Sequence, residues 1–154
     1  MFRPKALTAI AAALLIGMSA ADARGFSVGD YQGEVQDGPG ELTFNVEKEA
    51  GKRRVESVTV LGVAYTCTVG SDGQTEEGLE YQKGIKVKPD RTFSRRQIEV
   101  LYVPGDPEGS FSGKLKQHGK ASGKLRVTGE LDGAGSDCTT GRLEWKAERT
   151  ASRP

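Results

Sequence analysis

Histidine is almost missing from this chain, with His118 the only one, and cysteine is limited to Cys67 and Cys138. That scarcity removes most nucleophile–base pairs and every histidine-rich metal motif. His118 falls in Gln117-His118-Gly119-Lys120, between two clearly patterned strands, and reads as a solvated turn residue rather than a catalytic base. Phosphate loops are missing too: the Gly-Lys pairs at Gly51, Gly113, Gly119 and Gly123 are never followed by Ser or Thr. An excess of one charge is also absent, with 22 Lys plus Arg against 21 Asp plus Glu. Removal of Arg3, Lys5 and Asp22 with a leader takes the formal net charge from +1 to zero. A neutral balance gives no global pull toward nucleic acid, so such a partner is not expected. Aromatic residues are few, at 6%, which speaks against a stacking platform for bases and against the girdles of an outer-membrane barrel.

What is present begins with a leader. Arg3 and Lys5 precede an apolar run from Ala6 to Met18, and Ala21-Asp22-Ala23 offers the small-x-small pattern of a signal-peptidase site. The run falls short of the roughly 20 residues that span a bilayer. The expected organisation is a signal peptide over residues 1–23 and a single domain over residues 24–154, secreted or periplasmic, with no membrane span after cleavage. Both cysteines lie in the exported part, where oxidation is permitted, and they are expected to form one disulfide. In the chain-entropy view, closing that loop disfavours the unfolded chain by on the order of 4 kcal/mol.

The exported part alternates with period two between glycine-rich turns such as Asp37-Gly38-Pro39-Gly40. Leu42, Phe44 and Val46 share one face, Ala121, Gly123, Leu125 and Val127 another, and Gly141, Leu143, Trp145 and Ala147 a third, with charged residues between them. A recurring Gly, charge, Leu or Val triplet, as in Gly113-Lys114-Leu115 and Gly123-Lys124-Leu125, puts each glycine on the apolar side. Such a face lets a sheet coil tightly. The predicted fold is all-β: an antiparallel β-sandwich or partly closed β-barrel of about 8–10 strands, the count following from turn spacing. The apolar positions change phase near Gly62, which predicts a bulge or a sheet-switching bend. Gln97 to Val103 is nearly continuously apolar and predicts a central strand.

The ending Cys138-Thr139-Thr140-Gly141-Arg142-Leu143-Glu144-Trp145-Lys146-Ala147 carries a Cys-x-x-Gly-x-Leu-x-Trp-x-Ala pattern. Together with Tyr31-Gln32-Gly33, Cys67 and Arg91-Thr92-Phe93, it resembles a loose group of small, uncharacterised secreted bacterial proteins. The resemblance implies an all-β fold with Cys67 bonded to Cys138, and implies no activity, ligand or catalytic residue.

One local charge feature stands out. Lys83, Lys86, Lys88, Arg91, Arg95 and Arg96 fall in a short stretch with Asp90 as its one acid. It reads as an anion-binding patch, or as a solvated edge that discourages strand-to-strand aggregation. Trp145 lies in a core row and is expected to pack inside. The sequence therefore favours a non-catalytic extracytoplasmic binding or structural module, whose partner is an envelope component or another protein, with no cofactor, metal or catalytic residue assigned. A small-molecule carrier with a barrel cavity and a hydrolase using paired carboxylates stay as alternatives; the first needs about 300 Å³ of interior, the second two carboxyl groups facing across a cleft.

Overall fold

The computed structural model describes residues 28–36, 38–69, 72–74, 79–81, 84–99, 107–131 and 137–151. Residues 1–27, where the leader is expected, Lys83, residues 100–106 and residues 132–136 lie outside the described residues. The strands are β1 (Gly29–Val35), β2 (Glu41–Glu49), β3 (Lys52–Leu61), β4 (Ala64–Cys67), β5 (Gly73–Gln74), β6 (Leu79–Tyr81), β7 (Ile85–Lys86), β8 (Thr92–Glu99), β9 (Glu108–Leu115), β10 (Lys120–Gly129), β11 (Cys138–Thr139) and β12 (Leu143–Ala151). Among the described residues one 3-10 turn, Gln117–Gly119, links β9 to β10. The count exceeds the expected range because several strands are only two to four residues long.

Eleven strands pair antiparallel in one sheet that does not close, and β5 adds to the edge of β4. The main order runs β8-β9-β10-β12-β1-β2-β3, with β6 and β7 sharing the outer edge of β3. Strand β10 pairs β9 along one side, while its other side pairs first β12 and then β11. Phe44 on β2 lies 6.3 Å from Phe93 on β8 and 6.1 Å from Phe111 on β9, centroid to centroid. Strands so far apart in the order can touch only if the sheet curls over its own apolar face, which gives a sandwich-like core.

That core explains the glycine triplets. Gly113 and Gly123 are direct cross-strand partners, flanked by Phe93 on one side and Trp145 on the other. Two absent side chains leave a slot, and the Trp145 indole lies in it. A Cβ on Gly113 would sit 2.5 Å from Trp145 Cζ2 and 2.7 Å from Phe93 Cζ, and one on Gly123 would meet the same indole carbon at 2.5 Å. Trp145 is 1% exposed, stacked on Phe111 at 5.0 Å, with Phe44 edge-on to it at 5.6 Å. Tyr31, stacked on Phe44 at 4.9 Å, completes the cluster. Centroids at 4.9 to 6.3 Å are within the range where ring pairs attract beyond their buried area.

The phase change near Gly62 is present. β3 ends at Leu61, Gly62 takes a left-handed φ of 68°, and β4 leaves β2 to pair with β11. Cys67 and Cys138 are register partners there and form the disulfide. A second irregularity escaped the sequence: the register of β2 against β3 shifts between Thr43 and Asn45, where Ser57 has φ 49°. The expected central strand from Gln97 to Val103 lies, beyond Glu99, outside the described residues; its described start belongs to β8, which pairs β9 and shifts register between Arg95 and Ile98.

Candidate functional site

Three turns meet at one end of the sheet: Ala50-Gly51 between β2 and β3, Val87 to Arg91 between β7 and β8, and Gln117–Gly119. The first two enclose a groove of 350 Å³ lined by Lys52, Arg53, Lys86, Lys88 and Arg91, with Val87, Pro89 and Leu115 as apolar neighbours. Lys86 and Arg54 are register partners, and the ladder continues through Val87 N–H donating to Arg53 O at 2.9 Å. The alternation that puts Ile85 inside therefore puts Lys86 and Lys88 outside, side by side.

The turn itself is tightly bonded. Lys88 N–H donates to Thr92 O at 2.8 Å, Arg91 N–H to Lys88 O at 2.8 Å, and Leu115 N–H to Arg91 O at 3.1 Å. Asp90 is the acid of this turn, and its carboxylate accepts from the Thr92 hydroxyl at 2.7 Å and from Thr92 N–H at 3.1 Å. The hydroxyl bond, then the N–H bond, then Lys88 and Lys114 hold its pKa below the usual carboxylate value. No carboxylate lines the groove; Glu49 lies across the strand pair from Lys52.

The structure gathers Lys86, Lys88 and Arg91 from the predicted patch and adds Lys52 and Arg53 from β3. It leaves Arg95 and Arg96 outside the groove, exposed farther along β8, and Arg95 Nε–H donates to Gln97 O at 3.5 Å. Three residues of strand separate Arg95 from Thr92, a span of roughly 10 Å. Lys52 and Arg53 had no signal in the run of cations, since only strand pairing brings them there.

Carboxylates occupy other surfaces. Glu34 and Glu41, which are register partners, line a broad outer groove of 670 Å³ together with Glu148. Glu56, beside the bulge at Ser57, lies against Gly84, where an added Cβ would overlap its carboxylate. Burial raises its pKa, Arg54 opposes the rise, and Glu47 and Glu49 add to it. Burial likewise raises the Tyr81 hydroxyl, opposed by Arg95. Among the described residues no three His, Cys, Asp or Glu side chains gather as metal ligands. His118 is exposed in its turn with φ 59°. The apolar interior between β3, β9 and β10 leaves a void of 20 Å³, about the room of one water, so it gives the carrier alternative no support.

The fold and groove together define an all-β, disulfide-linked domain with a cationic end. Comparison with family models, curated proteins and solved structures finds no match to this chain.

Proposed function

We propose that this protein is a non-catalytic, extracytoplasmic binding module that captures an acidic polysaccharide of the cell envelope through the groove between β3 and the β7–β8 turn. The observation that carries this reading is the convergence of five cations from two separate chain segments on one groove without a lining carboxylate. Like charges set side by side repel, and here cations outnumber the acids nearby, Asp90 and Glu49, neither of which lines the groove, so the excess suits an external anion. The lining has no aromatic side chain, so it lacks the stacking surface that single-stranded nucleic acid uses. Among the described residues the exposed large apolar side chains, Leu61 and Val69, fall at the other end of the sheet and do not accompany the cations as a wedge toward a bilayer. The disulfide supports an oxidising, exported setting, either periplasmic or secreted.

Calorimetric titration with dextran sulfate tests this. The wild type is expected to bind with an affinity that falls steeply as salt rises, because each neutralised anion releases a counter-ion. The Lys86→Glu, Lys88→Glu protein should bind far more weakly, whereas Arg96→Glu, outside the groove, should match wild type. Equal binding by all three proteins would refute the groove as the site.

A further inference from the structure

The turn that walls the groove departs from the chemistry its own geometry prefers. Lys88-Pro89-Asp90-Arg91-Thr92 is closed by the two bonds Arg91 N–H to Lys88 O and Lys88 N–H to Thr92 O. This is the pattern of a three-residue hairpin connection, whose third residue takes a left-handed backbone and is ordinarily glycine. Pro89 and Asp90 suit their positions. The third position holds Arg91, at φ 72°. Ala50 and His118 are also left-handed at nearby turns, but each is followed by a left-handed glycine and neither lines the groove. Arg91 is thus the one strained side chain at the cation cluster, and it is half-buried there. Strain kept at a groove-lining position points to a role other than stability.

The lysines of the groove are flexible point charges, whereas a guanidinium is a planar fork that matches two oxygens of one oxyanion. We infer that Arg91 is the specificity-determining contact of the groove, gripping bidentately one carboxylate, sulfate or phosphate group of an acidic polysaccharide, with Lys52, Lys86 and Lys88 supplying the less selective attraction. This rests on the binding-module reading and adds which residue selects the ligand's charged group.

The full-length protein is titrated with fluorescent dextran sulfate, polygalacturonate and dextran phosphate, with neutral dextran as control. The three charged chains separate sulfate, carboxylate and phosphate as the preferred group. Wild type should bind at least one of them and not neutral dextran. Arg91→Gly should weaken that binding about tenfold or more, while its melting temperature stays equal or rises, since glycine relieves the left-handed strain. Arg91→Lys, which keeps the charge and loses the fork, should weaken binding by a similar factor. Undiminished binding by Arg91→Gly or Arg91→Lys, in a setting where Lys86→Glu, Lys88→Glu abolishes it, would overturn the role of Arg91 and leave the groove reading intact. A drop in the melting temperature of Arg91→Gly would overturn it as well, by making Arg91 a structural residue. A wild type that binds none of the charged chains would remove both.

Discussion

At Gly123 one added methyl group would press on Ser112 O and on the Trp145 indole, neither of which can yield without moving the sheet. Glycine-to-alanine changes often stabilise a protein by restricting the unfolded chain, but here the sign reverses. Gly123→Ala and Gly113→Ala are each expected to lower stability by about 1–3 kcal/mol, read as a lower urea midpoint. Glu56 gives a pH-dependent expectation. Its folded pKa is raised above the ordinary 4.5, so the native state holds the proton more tightly than the unfolded chain does. The carboxyl therefore costs nothing when both states are protonated, and the penalty grows as pH rises from 4.5 through the folded pKa. Glu56→Gln should leave the denaturation midpoint unchanged near pH 3.5 and raise it near pH 7. Some of this was legible beforehand: Trp145 sits in an apolar row, and the glycine triplets announce a face of mixed large and absent side chains. The strain at Arg91 and the bulge at Ser57 were not, because backbone sign follows from strand pairing rather than from residue type.

Strands β4 and β11 are short, and they hold together the part of the chain that leaves the main run of strands. Their two register pairs are Cys138 with Cys67 and Thr139 with Thr66, and Thr68 adds two bonds to Asp137 O. The disulfide spans a sequence separation of 71. Replacing both cysteines by serine should cost about 2–4 kcal/mol in chemical denaturation while far-ultraviolet circular dichroism stays β-rich. The long strands were readable from period-two alternation, and the break at Gly62 from the apolar phase change. The expected strand from Gln97 to Val103 lies mostly outside the described residues, whereas the register shift of β8 between Arg95 and Ile98 had no signal in residue type. Half of the groove was visible as a run of cations; its other half needed the register of Arg54 with Lys86.

Across the whole molecule the near-neutral charge conceals a polarity. The groove end carries Lys48, Lys52, Arg53, Arg54, Lys86, Lys88, Arg91, Lys114, Lys116, Lys120 and Arg149, against Asp30, Glu47, Glu49, Asp90 and Glu148. The opposite end carries Glu34, Glu41, Asp72, Glu108, Glu130 and Asp137, against Arg126, Arg142 and Lys146. A cation exchanger near pH 7 should therefore retain the protein despite a formal net charge of only +1, and Lys86→Glu, Lys88→Glu should elute earlier. The central slot has a practical consequence. Because the chain has one tryptophan and that ring is sealed among Phe44, Phe93 and Phe111, its fluorescence should be blue-shifted in the native state and move to longer wavelength only when the middle of the domain opens. The protein thus contains its own single-site optical gauge, one that follows the integrity of its centre without any attached dye.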